Sequence, residues 1–173
     1  MHANDFVTAL AALLTQPDLQ AGFARDPRQV ADQLQLADHG RAMFIALSPD
    51  QISAQANLLI SKRRKEVSKF LPQTCNQLGE DAKTLFESYA ATYWPCTHRR
   101  HVEDAGQFCL YLTHKKLRVN QSEFNHLRFL LSGRRISLYI AKDALIKGRL
   151  SWAIQLFYRR NSIEGQWVVY FKG

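Results

Sequence analysis

The densest group of potentially reactive side chains lies in one short segment, Cys96–His101. The segment reads Cys-Thr-His-Arg-Arg-His, so a thiol and two imidazoles, all possible metal ligands, fall within six residues. His98 and His101 share one face only if both are helical. A closed metal site takes four ligands, and no second His or Cys cluster completes the set. We therefore expect no metal site here. A small enzyme using Cys96, His98 and His101 is the remaining alternative.

Other catalytic patterns are missing from the sequence. There is no Gly-x-Ser-x-Gly motif and no phosphate-binding glycine-rich loop before a helix. The three cysteines, Cys75, Cys96 and Cys109, form no Cys-x-x-Cys pair, and their odd number favours reduced thiols. Cys109 falls on an apolar helical stripe, which predicts a buried core residue. We expect no catalytic residue in this chain, and no cofactor or metal bound by it.

The charge of the chain is concentrated near its C-terminus. The 173 residues carry 23 Lys and Arg against 15 Asp and Glu, a net charge of +8. Residues 113–173 hold twelve basic and three acidic side chains (12 − 3 = +9), so the remainder holds eleven and twelve (11 − 12 = −1). Such a basic segment indicates an acidic or polyanionic partner. The Lys62-Arg63-Arg64-Lys65 run is interpreted as a solvated helix surface, or as Arg63 or Arg64 pairing with a carboxylate.

Helical periodicity dominates residues 1–132. Ser48–Gln51 combines a hydroxyl cap, a proline at the first helical position and a Gln three residues after the Ser, which predicts a helix that ends at Leu71. A last helix is predicted to open near Asn120 or Ser122 and to stop at Gly133. Six to eight short-linked helices make this part an all-α helical bundle.

From residue 133 to 173 the apolar period changes to two. The alternation predicts three antiparallel strands, a small basic β-meander packed on the bundle rather than independent. The whole chain is thus predicted to be α+β. The packed face is assigned to the stripes that contain Ile136, Trp152 and Trp167. The outer face is assigned to Tyr139, Phe157, Val168 and Tyr170.

An open meander has two edge strands whose backbone groups lack partners. Basic residues flank or join these strands: Arg134, Arg135, Lys142, Lys147, Arg149, Arg159 and Arg160. An acidic, extended peptide could add to an edge as a further strand, or nucleic acid could bind the cations and aromatic rings. Alternatively, the cations only protect the edges from aggregation. The candidate peptide-binding residues on the two edges are Arg135, Ile136, Ser137, Leu138, Tyr139, Ile140, Trp167, Val168, Val169 and Tyr170.

Three helical runs carry a family resemblance. Lys62–Thr74 (KRRKEVSKFLPQT), Asp81–Ala90 (DAKTLFESYA) and Asp104–Leu112 (DAGQFCLYL) resemble the helical partner proteins encoded beside multinuclear iron oxidases. The basic strand region that follows them resembles the MbnC-type members of this group, which take part in methanobactin biosynthesis.

The resemblance implies a non-catalytic subunit of a heteromeric iron-dependent oxidase. MbnC-type proteins pair with an MbnB-type iron oxidase subunit, and the pair uses dioxygen to convert cysteines of an MbnA-type precursor peptide into oxazolone and thioamide groups. The product is a copper chelator. The iron and the catalytic residues lie in the MbnB-type partner, and the MbnC-type subunit is expected to hold the leader of the precursor.

The class of protein and its location are also expected from the sequence. The main alternative function is a nucleic-acid-binding regulator with helices and a basic β-wing, although we expect nucleic acid less than a peptide. No apolar run is long enough to span a membrane. The N-terminal apolar run follows Asp5 with no Lys or Arg before it, which disfavours a secretory signal. We therefore expect a cytoplasmic protein without a membrane partner.

Overall fold

The computed structural model describes residues 5–146, 149–160 and 163–171. In these ranges nine helices precede three strands, and the α+β prediction is confirmed. The helices are α1 (Phe6–Thr15), α2 (Pro17–Arg25), α3 (Pro27–Gln33), α4 (Asp38–Ile45), α5 (Pro49–Phe70), α6 (Pro72–Leu78), α7 (Asp81–Ala90), α8 (Arg100–His114) and α9 (Gln121–Ser132). The strands are β1 (Ile136–Ile146), β2 (Arg149–Arg160) and β3 (Ile163–Phe171). The predicted number of helices was too low, because helices as short as α6 show no full apolar period.

Helix ends follow local capping chemistry. The Ser48 hydroxyl accepts a hydrogen bond from the Gln51 amide at 3.4 Å, and α5 begins at the next residue, Pro49. The Asn120 side chain accepts from the Glu123 amide at 3.0 Å and caps α9. That helix stops at Gly133, whose φ of +65° lies in the left-handed region that favours glycine. The predicted start of α5 and both predicted ends of α9 are confirmed, whereas α5 ends at Phe70, one residue before the predicted Leu71.

The chain forms two compact units. The first contains Met1–Lys62 with Ala90–Trp94, and its core is built from the apolar faces of short helices. Phe23 and Phe44 meet edge to face in this core, with ring centroids 5.2 Å apart. No helix in the described ranges is both long and apolar enough to cross a bilayer.

The second unit contains Arg63–Tyr89 with Pro95–Gly173 and includes the whole sheet. The boundary expected between residues 132 and 133 therefore lies inside this unit. Within it, α9 packs against β1 and β2. Helix and sheet thus share one core, which fixes the orientation of the sheet relative to α9.

The sheet is an antiparallel meander of strand order β1-β2-β3, so β1 and β3 are its edges. Side chains on the two faces alternate along each strand. The register places Ser137 opposite Phe157 and Ala141 opposite Ala153, and all four of these side chains are buried. The predicted outer face was therefore wrong for Phe157, which lies in the core at 1% exposure, although Tyr170 of β3 is exposed.

Small and amide side chains explain why this face is the buried one. Ala141 and Ala153 are fully buried and pack with Val168, and a hydrogen-bonded chain connects β2 to α9. In that chain the Asn125 amide donates to Gln155 Oε1 at 2.9 Å, and Gln155 Nε2 donates to Ser122 Oγ at 2.5 Å. Since an unpaired amide in a core is costly, this pairing permits burial of Gln155.

Aromatic contacts complete the interface between helix and sheet. The Phe157 ring stacks on His126 at 5.4 Å and on Phe129 at 5.3 Å, both on α9. Tyr139 of β1 meets the same ring edge to face. Burial lowers the pKa of His126 from its ordinary value, which favours the neutral imidazole in this stack.

Candidate functional site

The other face of the sheet is apolar and open to solvent. We call it the apolar face, and its members are Ile136, Leu138, Ile140, Trp152, Ile154, Leu156, Tyr158, Trp167, Val169 and Phe171. Trp167 is 68% exposed and Leu138 is 65% exposed, so most of each side chain lies in solvent. The alternation in the sequence predicted that these stripes pack on the helices, and this prediction was wrong.

The extent of the apolar face distinguishes it from an ordinary surface. Eight of its side chains are among the exposed large hydrophobic residues, and most expose about half of their area or more. The four aromatic members each present about 150–250 Å² and the four aliphatic members somewhat less, so the exposed part of the eight side chains is on the order of 800 Å². The largest apolar patch of a typical monomer is about 300–600 Å², and larger patches mark interaction sites.

The described charges on this face are all positive. Lys142 Nζ lies 5.4 Å from the centre of the Trp152 ring, and Arg160 projects from the far end of β2. Among the side chains of this face that the structure describes, none is Asp or Glu. Glu164 belongs to the opposite face, where it pairs with Arg159 at 2.7 Å. An acidic group brought onto this face would therefore meet cations.

The alternation of hydrogen-bonded and non-bonded residue pairs identifies the backbone groups of β1 that point away from β2. The Arg159 amide donates to the Arg135 carbonyl at 2.8 Å, so this residue pair is a hydrogen-bonded one. Hydrogen-bonded and non-bonded pairs alternate in an antiparallel ladder. The backbone groups of Ile136, Leu138 and Ile140 consequently point away from β2. At 3.4 Å the Asn125 amide donates to the Ile140 carbonyl, and the other outward groups of these three residues have no described partner.

The same alternation applies to the β3 edge. Because the odd-numbered residues of β2 bond to β1, its even-numbered residues bond to β3 at Trp167 and Val169. The outward backbone groups of β3 are then those of Gln166, Val168 and Tyr170. Each edge offers alternate residues to an added strand.

The candidate peptide-binding residues therefore fall on two separate edges. Arg135–Ile140 lies at the start of β1 and Trp167–Tyr170 lies in β3, with β2 between them. Ser137, Tyr139, Val168 and Tyr170 belong to the face that meets α9, whereas the remaining strand residues belong to the apolar face. Sequence reasoning missed Trp152 and Phe171 as surface groups.

A buried ion pair supports the helices of the second unit. Arg63 makes a two-pronged contact with Asp104, with Nε–Oδ2 at 3.0 Å and Nη2–Oδ1 at 2.7 Å. The Tyr89 hydroxyl donates to Asp104 Oδ1 at 2.7 Å, and the guanidinium lies over the Phe86 and Tyr89 rings. The predicted pairing of Arg63 with a carboxylate is confirmed. With its oxygens occupied by these donors, Asp104 is suited to holding structure rather than to proton transfer.

The three thiols differ in burial: Cys109 is buried, Cys75 is half-buried and Cys96 is exposed. Burial raises the pKa of Cys109 and of Cys75, which disfavours the nucleophilic thiolate. His98 is exposed, while His101 lies in the first turn of α8. Within the described ranges, no set of three His, Cys, Asp or Glu side chains is arranged to hold a metal ion.

The comparisons with known proteins cover part of the helical region. The family model for the SCO6045-like C-terminal domain matches residues 46–114, less than half of the chain. The matched segment spans α5 to α8 and ends before α9 and the sheet. No curated protein matches the chain, and no solved structure matches it. The similarity thus concerns the helices and does not reach the apolar face or the strand edges.

Proposed function

We propose that this protein is a non-catalytic docking subunit of a heteromeric iron-dependent oxidase. In this proposal an MbnB-type partner modifies cysteines of an MbnA-type precursor peptide to oxazolone and thioamide groups, in the cytoplasm. The observation that supports the docking role is the open sheet, whose two edge strands leave alternate backbone groups without a neighbouring strand among the described residues. The identity of the partner and of the peptide comes from the sequence resemblance.

Strand addition is the binding mode that suits the β1 edge. A leader peptide laid beside β1 would pair with the outward backbone groups of Ile136, Leu138 and Ile140, and backbone hydrogen bonds would supply its affinity. Arg134 and Arg135 are exposed where β1 begins and would attract acidic leader residues. The described residues of the β3 edge, Ile163–Phe171, offer the same backbone pattern and include no Lys or Arg. We therefore assign the leader to β1.

The contribution of such a subunit to the reaction is positional. Iron and the reacting groups belong to the partner, and this chain holds the leader close to them. Tethering raises the local concentration of the cysteines that follow the leader, and this concentration falls as the intervening linker lengthens. Selectivity for the precursor would then reside in the leader, away from the chemistry.

The edge assignment predicts a proline effect that depends on position. Leu138→Pro removes an outward donor but no bond to β2, a location where edge strands tolerate proline. We expect it to weaken binding of a synthetic leader peptide about tenfold or more, measured by calorimetry. The matched variant Leu138→Ala, which keeps the amide, is expected to bind within about threefold of the parent protein.

Variants of the β3 edge provide a second test of the assignment of the leader peptide to β1. Val168→Pro removes an outward donor of β3, with Val168→Ala as its control. Loss of peptide binding in Val168→Pro alone would move the leader to β3. Unchanged binding in both proline variants would contradict strand addition.

A nucleic-acid-binding regulator is the second candidate. The cation–π contact of Lys142 with the exposed Trp152 favours it, because such pairs can stack bases and neutralise phosphates. This candidate predicts binding to a nucleic acid oligomer with an affinity that falls steeply with salt concentration. The docking-subunit proposal predicts weak oligomer binding that Trp152→Ala leaves unchanged.

A further inference from the structure

We infer that the apolar face of the sheet, rather than the helices, is the surface on which the oxidase subunit docks. The inference rests on the proposed function for the identity of the partner. The surface chemistry inferred for the partner does not depend on its identity. The partner presents an apolar centre with carboxylates placed to meet Lys142 and Arg160. The peptide takes the sheet edge, and the partner protein takes the sheet face.

The size of the apolar face fits a protein partner. A standard specific interface buries about 800 Å² on each side, which is the order of the area exposed here. Burying such a surface removes apolar area from water and is a main driving force for association. Trp167 and Trp152 are the best anchors on this face, since they are exposed tryptophans and this residue type is enriched at interface hot spots.

The charges favour a heterologous partner over a second copy of this chain. Face-to-face pairing of two copies would add two cations from each side and no described carboxylate, whatever the rotation between them. Like charges brought together in an interface oppose association, whereas opposite charges steer it. The net charge of +8 adds a general repulsion between copies. A different protein with an acidic rim would avoid both the repulsion between interface cations and the repulsion between net charges.

The sheet geometry lets the two ligands bind at the same time. A strand added to β1 extends the sheet sideways, and every second side chain of that strand then lies level with the apolar face. A protein covering the face would contact those leader side chains as well as Leu138 and Ile140. The two binding events are therefore coupled, and each ligand raises the affinity of the chain for the other by the same factor.

The test compares a charge placed on the apolar face with the same charge on other exposed apolar positions. Trp167→Glu and Val169→Glu alter the face but keep the inward backbone bonds of β3. The matched variants are Leu110→Glu on α8 and Val7→Glu on α1, where the parent side chains are 49% and 71% exposed. Affinity for a purified MbnB-type oxidase subunit is measured by calorimetry, after thermal unfolding has confirmed that each variant is folded.

We expect Trp167→Glu to weaken oxidase binding at least about 30-fold, and Leu110→Glu and Val7→Glu to stay within about threefold of the parent. Leader binding to the isolated Trp167→Glu chain is expected to be unchanged. Loss of oxidase binding in Leu110→Glu with normal binding in Trp167→Glu overturns the inference and leaves the proposed function standing. A parent protein that does not bind the oxidase overturns both. A dimer of the isolated chain that Trp167→Glu dissociates also overturns the inference.

Discussion

Replacing Asp104 with alanine is expected to lower the free energy of unfolding by about 3–5 kcal/mol. The variant leaves the buried guanidinium of Arg63 without its carboxylate and removes the side-chain acceptor of the Tyr89 hydroxyl, which keeps the backbone carbonyl of residue 104 at 3.1 Å. Both side chains of the pair are almost fully buried, so water cannot replace the lost partner. Urea unfolding followed by circular dichroism measures the change.

Two further variants separate this effect from a generic loss of charge. The exposed pair Arg41–Asp32 provides the matched control, and Asp32→Ala is expected to cost less than about 1 kcal/mol. Replacing both buried partners, as Arg63→Met with Asp104→Leu, is expected to recover much of the stability, because no unpaired charge then remains. Equal destabilisation by Asp104→Ala and Asp32→Ala would show that the buried pair does not hold these helices.

The second large effect is expected at the interface between α9 and the sheet. Phe157→Ala leaves a cavity beneath the Phe129 and His126 rings, and we expect a loss of about 3–5 kcal/mol. Trp167→Ala removes a larger ring from the apolar face, where little packing is lost, and we expect a cost of at most about 1 kcal/mol. The comparison, again by urea unfolding, tests directly which face of the sheet is buried. A larger cost for Trp167→Ala would reverse the orientation described above.

Local signals made the helix ends predictable from the sequence. The hydroxyl of Ser48, the amide of Asn120 and the left-handed Gly133 each act within one turn of their own position. Such capping depends on neighbours along the chain, so no knowledge of the tertiary structure is needed. The two-residue period of the strands is local in the same sense, and it predicted the three-stranded meander.

The two-residue apolar period of the strands did not show which face of the sheet is buried. Alternation defines two faces, but both carried aromatic residues, and the more apolar face was the natural choice for the core. The choice failed because α9 supplies Asn125 and Ser122 as partners for Gln155, a match that only the folded chain reveals. The small side chains of Ala141 and Ala153, both buried, were the available signal for the buried face. The same long-range limit hid the partner of Arg63, which lies 41 residues away.

The edge strands and the apolar face of the sheet have different roles in the candidate site. The edge strands were predicted, and their open backbone groups follow from the register. The exposure of the apolar face was not predicted. It follows from the contacts of α9, which place Phe157 in the core. The docking role therefore rests on one predicted feature and one that the fold alone reveals.

Residue-resolved hydrogen exchange on the isolated chain tests strand addition most directly. The outward amides of Ile136, Leu138 and Ile140 on β1, and of Gln166, Val168 and Tyr170 on β3, are expected to exchange rapidly in the free protein. On saturation with a synthetic leader peptide, we expect the exchange rates of the three β1 amides to fall together, while those of the three β3 amides stay high. A bound peptide that leaves both sets exchanging as in the free protein would contradict it.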